Sequence, residues 1–144
     1  MKRMIVPVLT LIAAALLAGA ALAQDVCAPA KVTNLGLKDT GNRTITMKWT
    51  EPGDDCNTGD PSTFEVRRSS SNITDTNWQG ASVLATGTCV ANGSDECLQV
   101  SYPTGCPTRY FVVFIFDEAS NRSPMSNVFS YAPACSGTHI PVCP

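Results

Sequence analysis

The chain has 144 residues, with 10 basic against 12 acidic side chains and a formal net charge of −2 at neutral pH. Nucleic-acid binding requires a clustered basic face, and this composition offers none beyond the neighbouring Arg67 and Arg68, so that class of partner is not predicted. The length suits one domain with a single hydrophobic core.

Residues 1–23 have the pattern of a cleaved signal peptide. Lys2 and Arg3 precede an apolar run that ends in small residues at Ala23, and a basic start, a short apolar core and an Ala-x-Ala end are typical of such signals. An uncleaved anchor is the alternative, but the run is short for a membrane span. Cleavage after Ala23 removes two positive charges and leaves 121 residues with a net charge of −4. We therefore expect a secreted or periplasmic protein with no membrane span in its mature part.

Seven short strands are predicted in the rest of the chain, at residues 31–39, 44–51, 64–69, 78–86, 97–102, 109–118 and 127–131. In the second strand Ile45, Met47 and Trp49 alternate with polar residues, the pattern of a strand with one buried face. The sixth is apolar on both faces, which places it at the centre of a sheet. Without any helical periodicity, this pattern predicts an all-β, seven-stranded, immunoglobulin-like Greek-key sandwich at residues 24–132, followed by an irregular tail at 133–144.

The alternation also predicts the core. Trp49 and Tyr110 are expected to be buried, with six apolar side chains around them. These are Ile45, Met47, Val66, Val112, Phe114 and Phe116.

All seven cysteines follow the predicted signal peptide, which in an exported chain indicates a disulfide framework. No two cysteines have the Cys-x-x-Cys spacing of a zinc site, and the only histidine is His139 in the tail. Neither a metal–thiolate site nor any cofactor is therefore predicted.

Three acidic pairs stand out as candidates for catalysis, namely Asp54-Asp55, Asp95-Glu96 and Asp117-Glu118. Paired carboxylates can act as acid and base when they flank a cleft, but neighbouring strand residues point to opposite faces and turns favour aspartate for local hydrogen bonds. No catalytic residue is assigned. Calcium near Asp54, Asp55 and Asp117 stays open, because calcium binds several carboxylate and carbonyl oxygens.

From about residue 28 to residue 132 the chain resembles a bacterial fibronectin type III domain. Trp49 stands at the core tryptophan position of that family, Tyr110 at the position of its tyrosine corner, and Pro52-Gly53-Asp54-Asp55 follows the tryptophan as in bacterial members. Further similar segments are PAKVTNL at 29–35, FEVR at 64–67, ITDTNW at 73–78 and DEASNRS at 117–123. The chain departs from the family where TGCPTRY at 104–110 lacks the usual leucine, and in its cysteine content.

The resemblance implies a disulfide arrangement, because the fold places the loops at two poles. The implied pairs are Cys27 with Cys56, Cys89 with Cys97, and Cys106 with Cys135. Cys143 is then left over and is predicted to form a covalent dimer or a mixed disulfide. A local Cys135–Cys143 bridge, leaving Cys106 free, is the competing arrangement.

The resemblance implies a non-catalytic interaction or structural module, since fibronectin type III domains mostly bind, space or assemble. Its loops at the Cys27 and Cys56 pole would contact a protein or polysaccharide partner. The alternative is a small secreted enzyme or enzyme inhibitor on the same scaffold. A cleft with convergent titratable groups would favour the enzyme.

Overall fold

The computed structural model describes residues 25–102 and 107–132. The described part contains seven strands and one turn of 3₁₀ helix at Trp78–Gly80. The strands are β1 (Gly36–Gly41), β2 (Thr44–Thr50), β3 (Thr63–Ser69), β4 (Ser82–Thr88), β5 (Asp95–Ser101), β6 (Arg109–Phe116) and β7 (Phe129–Tyr131).

The strands form two antiparallel sheets packed face to face. One sheet has the order β1-β2-β5, and the other has the order β4-β3-β6-β7. Because β5 pairs with β2 and β6 pairs with β3, the chain crosses between the sheets in the manner of a Greek key. The predicted seven-stranded sandwich is therefore confirmed.

The inner face of β2 supplies the centre of the core. Ile45, Met47 and Trp49 are each at most 1% exposed, as the alternation predicted. The Trp49 ring meets Phe64 of β3 edge to face, with 5.2 Å between ring centroids. The core between the sheets therefore has an aromatic contact that joins them directly.

Strand β6 is buried on both faces, as predicted, but its two faces have different roles. Phe111, Val113 and Ile115 pack in the core with Trp49. Val112 and Phe114 belong to a second cluster on the other side of the sheet. Because successive side chains of a strand point to opposite faces of the sheet, neighbouring residues of β6 contribute to different clusters.

This alternation corrects part of the predicted core. Tyr110, Val112, Phe114 and Phe116 pack in the second cluster and not around Trp49, and Tyr110 and Phe116 are only half-buried. The deeply buried tyrosine is Tyr102, whose single hydroxyl proton is shared between two acceptors, the backbone oxygens of Tyr131 (2.9 Å) and Pro107.

The segment between β3 and β4 covers the second cluster. Ile73 and Ala81 are buried there, and the Trp78 ring lies 4.8 Å from the Phe114 ring. The Arg122 guanidinium lies 4.0 Å from the centre of the Trp78 ring, a favourable cation–π distance. The fourth strand was predicted to begin at residue 78, but residues 78–80 form the 3₁₀ turn and β4 begins at Ser82.

The first strand also begins later than predicted, at Gly36 instead of residue 31. Val32 and Leu35 are nevertheless buried in the core. The Asn127 side chain accepts a hydrogen bond from the Leu35 N–H (2.9 Å) and donates one to its carbonyl (2.8 Å). A side-chain amide thus holds this segment where a strand ladder was expected.

Candidate functional site

The candidate site is one end of the sandwich, which we call the disulfide pole. It consists of the segment 25–30, the loops at residues 51–62 and 89–94, and the turn after β6 at residues 117–121. The Ala30 N–H donates to the Gly53 carbonyl (2.9 Å), and the Asn92 N–H donates to the Asp60 carboxylate (2.9 Å). The hydrogen bonds therefore bring together loops that are far apart in sequence.

A disulfide joins Cys27 to Cys56 at this pole, with 5.4 Å between the Cα atoms. This is the pair that the fibronectin type III resemblance implied. It ties the amino-terminal segment to the loop after β2, and residues 55–60 of that loop are all exposed. The pole thus presents a tethered loop tip to solvent.

The expected Cys89–Cys97 disulfide is not formed, and both residues are free cysteines. Cys97 lies opposite Lys48 in the β2–β5 ladder, on the outer face of the sheet, and the Lys38 ammonium donates to its Sγ at 3.3 Å. Cys89 instead packs against the core between the sheets. The Cys97 thiol therefore lies on the outer face of the β1-β2-β5 sheet, whereas the Cys89 thiol lies on the core side of that sheet. This placement prevents a bridge without backbone movement.

The other implied pairing falls outside the described residues. Cys106 and Cys135 lie in the segments 103–106 and 133–144, and Cys143 lies in the second of them. The predicted signal peptide and tail are also outside the described part. These expectations stay predictions.

Two glycines shape the loop after β2. A side chain at Gly53 would overlap the backbone of Asn57, since its Cβ would lie 2.0 Å from the Asn57 carbonyl carbon. Gly59 has a φ of +80°, in the left-handed region that glycine adopts without strain. Between them, the Asp55 N–H donates to the Thr58 carbonyl (2.7 Å). The loop therefore folds back tightly and fixes the position of Asp54.

Asp54 is buried, with 6% of its surface exposed, although it sits in a loop. Burial, a hydrogen bond with Glu118 and the charges of Glu118, Asp117 and Asp55 together raise the pKa of its carboxyl to about 6, with burial as the largest cause. Each of these neighbours disfavours the ionised form. We call these four residues the acidic corner.

Asp117 is the second buried member of the acidic corner, and each of its two carboxylate oxygens accepts a hydrogen bond. Its Oδ1 accepts from the Asn121 backbone N–H (2.6 Å), and its Oδ2 accepts from the Asn121 side chain (2.7 Å). The same side-chain amide donates to the Asp25 carbonyl (3.1 Å). This network closes the turn after β6 and joins it to the amino-terminal segment.

Glu51 is a buried carboxyl that the sequence patterns did not single out. It is 1% exposed, and its Oε1 accepts a 2.9 Å hydrogen bond from the Trp49 indole N–H. Its pKa is raised from 4.5 to about 7, mainly by burial and also by the Glu96 charge, while hydrogen bonds from Trp49 and Cys89 partly oppose the shift. The available signal was its spacing, since Glu51 is two residues beyond Trp49 and so continues the inner face of β2.

Cys89 shares this environment with Glu51. Burial raises the pKa of the Cys89 thiol, and the neighbouring Glu51 carboxylate raises it further. A thiol of raised pKa that is packed against a core is poorly reactive.

In two of the three acidic pairs considered for catalysis, one carboxyl is buried and the other is exposed. Asp54 and Asp117 are buried, whereas Asp55 and Glu118 are exposed. In the third pair, exposed Asp95 forms a 2.9 Å ion pair with Lys48, and hydrogen bonds from Lys48 and Thr50 lower its pKa. Within residues 25–102 and 107–132, no set of three or more acidic, cysteine or histidine side chains is arranged to hold a metal ion.

The strand order and the pairing of the sheets define a fibronectin type III sandwich. The fold is similar to that of an Fn3-like protein from Clostridium thermocellum (TM-score 0.50, 18% identity), over 76% of this chain and 99% of that one. It is also similar to the sixth fibronectin type III domain of a human fibronectin type III domain containing protein (TM-score 0.50, 14% identity), over 78% and 93% of the two chains.

A third similar structure is the pectate lyase Pel3 from Pectobacterium carotovorum, with a TM-score of 0.51 and 19% identity. The match covers 74% of this chain but only 29% of the lyase, so this chain spans less than a third of that enzyme's length. No family model and no curated protein matches the sequence. At these identities the comparisons show the fold.

None of the helical turns in the described segments is long and apolar enough to cross a bilayer.

Proposed function

We propose that this protein is an exported, non-catalytic interaction or structural module that contacts a protein or polysaccharide partner through the disulfide pole. The observation that carries the proposal is the exposed loop tip at residues 55–60, which the Cys27–Cys56 disulfide ties to the amino-terminal segment. A loop held by a rigid scaffold loses little conformational entropy when it binds a partner.

The charge of the pole narrows the kind of partner. Asp55, Asp60 and Glu118 are exposed there, so a polyanion would be repelled. A basic protein surface or an uncharged polysaccharide complements this surface better. The disulfide and the predicted signal peptide both fit a role outside the cytoplasm.

The experiment is affinity capture with the oxidised mature protein, residues 24–144, from envelope and extracellular fractions of the host. The captured partner is then titrated against two double variants. One variant, Asp55→Lys with Asn57→Ala, changes the loop tip. The control, Asp75→Lys with Asn72→Ala, makes the same changes on exposed residues between β3 and β4, at the opposite pole.

We expect the loop-tip variant to lose at least about tenfold in affinity while the control binds as the wild type does. Equal binding by all three proteins would contradict a contact through this loop. Turnover of a captured polysaccharide would contradict the non-catalytic role.

A further inference from the structure

The Asp54 carboxyl has an orphaned oxygen in the interior of the disulfide pole. Its Oδ1 is inaccessible to solvent and has no hydrogen-bond partner in the part of the chain that the structure describes. Burying an unpartnered carboxylate oxygen is costly, because no hydrogen bond replaces the lost water. The structure therefore leaves a strong oxygen ligand without a partner.

Glu118 brings a second carboxyl to the same point from a different loop. The Asp54 and Glu118 carboxyl groups lie within hydrogen-bonding reach of each other, and Asp117 and Asp55 add negative charge nearby. The ion pairs Lys48–Asp95 and Arg67–Glu65 do not involve the acidic corner. Its negative charge is thus not neutralised by either pair.

We propose that Asp54 and Glu118 together bind a divalent cation, with calcium as the best-fitting ion. Two carboxylates in contact are a favourable pair of ligands for a hard cation, and water and backbone carbonyls can complete a flexible calcium shell. Zinc fits less well, because the described corner offers oxygen and no thiolate or imidazole. Asp117 adds negative charge beside this pair, and hydrogen bonds from Asn121 to both of its oxygens hold its carboxylate in place.

The arrangement also predicts how strong the site is. The site supplies two protein ligands, and a dedicated calcium loop supplies more. A dissociation constant of about 10⁻⁴–10⁻³ M is therefore expected, as in extracellular modules. Asp54 is buried while Glu118 is exposed, which leaves the ion a route from solvent. A bound ion would join the loop after β2 to the loop after β6 whether or not the pole has a macromolecular partner.

The test is a calcium titration of the oxidised mature protein at pH 7.5 after chelator treatment, read by thermal midpoint and by calorimetry. Magnesium chloride and sodium chloride of matched ionic strength are the comparators. The variants are Asp54→Asn and Glu118→Gln, with Asp75→Asn as the control because Asp75 is an exposed acid in the segment between β3 and β4. Glu118 is exposed, so Glu118→Gln tests the site without disturbing the core.

We expect calcium to raise the thermal midpoint saturably, by mass action, in the wild type and in Asp75→Asn. Both site variants should bind calcium at least about tenfold more weakly. The proposal is overturned if the wild type shows no saturable calcium effect up to about 10 mM, well above the expected dissociation constant. It is also overturned if Glu118→Gln and Asp54→Asn bind as the wild type does.

A proton is the competing partner for the orphaned oxygen. In that case Asp54→Asn would raise the thermal midpoint, but calcium would not shift the wild-type midpoint, and the cation site would be rejected.

Discussion

The Trp49 indole N–H donates a 2.9 Å hydrogen bond to Glu51 Oε1 inside the core. Both residues lie on the same face of the chain, and neither is more than 1% exposed. The bond satisfies the only polar atom of the indole side chain, but it does so with a carboxyl group whose other oxygen, Oε2, has no hydrogen-bond partner among the described residues. The buried environment therefore favours the protonated form of the Glu51 carboxyl over the ionised form.

Glu51→Gln should change how stability depends on pH. The pKa of Glu51 is raised from 4.5 to about 7 in the folded protein, so the folded state holds a proton that the unfolded state releases. This contribution to stability is complete below about pH 4.5 and is lost as the pH rises to about 7. At pH 8 the variant should be more stable than the wild type by about 1–3 kcal/mol, and at pH 4.5 the two should be equal.

The measurement is urea unfolding followed by tryptophan fluorescence across that pH range. The raised pKa of Asp54 acts in the same direction in both proteins, so the difference between the two curves isolates Glu51. Parallel curves with no gap at pH 8 would show that Glu51 is not buried as described.

Trp49→Ala should destabilise the domain by about 3–5 kcal/mol, because it opens a large cavity at the centre of the core. It also removes the hydrogen bond to Glu51. The loss should abolish folding when the disulfide is reduced. Trp78→Ala is the comparison, because Trp78 is only half-buried, in the second cluster, and should cost less. Urea unfolding followed by circular dichroism measures both, and an equal cost would contradict the central position of Trp49.

Cys27→Ser with Cys56→Ser should lower the free energy of unfolding by about 2–4 kcal/mol. The loss of a crosslink between residues 29 positions apart increases the conformational entropy of the unfolded chain. Cys97→Ser should have little effect, since Cys97 forms no disulfide and lies on the outer face of its sheet. Denaturant midpoints of the two variants in the absence of reductant make the comparison. A large effect of Cys97→Ser would indicate a disulfide at that residue.

Native alkylation should modify Cys97 faster than Cys89. Cys97 lies on an outer face, whereas Cys89 packs against the core and has a raised thiol pKa because of burial and the nearby Glu51. Peptide mapping without reductant, after timed exposure to iodoacetamide, reports both sites. A Cys89–Cys97 crosslinked peptide would overturn the arrangement described above. The same map also reports whether Cys143 forms an intermolecular or mixed disulfide.

Period-2 alternation, turn residues and spacing were sufficient to predict the architecture. Ile45, Met47 and Trp49 are buried as their alternation requires, and β6 is covered on both faces as its continuous apolar run requires. These properties depend on local periodicity, which the amino-acid order contains directly. The Cys27–Cys56 pair also followed once the fold was inferred, because the fold decides which loops share a pole.

Only the tertiary structure decided which face of β6 meets Trp49. Both faces are apolar, so alternation alone cannot distinguish Phe111 from Val112. The same limit applies to Cys89 and Cys97, whose spacing allows a bridge that their opposite placement prevents. The inferred fold already suggested that Asp54, Asp55 and Asp117 lie near one another. The contact between Asp54 and Glu118 could not be predicted, because the two residues are 64 positions apart and meet only when the sandwich brings their loops together. The loss of solvent that makes Asp54 a candidate ligand is a property of packing, and packing exists only in the folded chain.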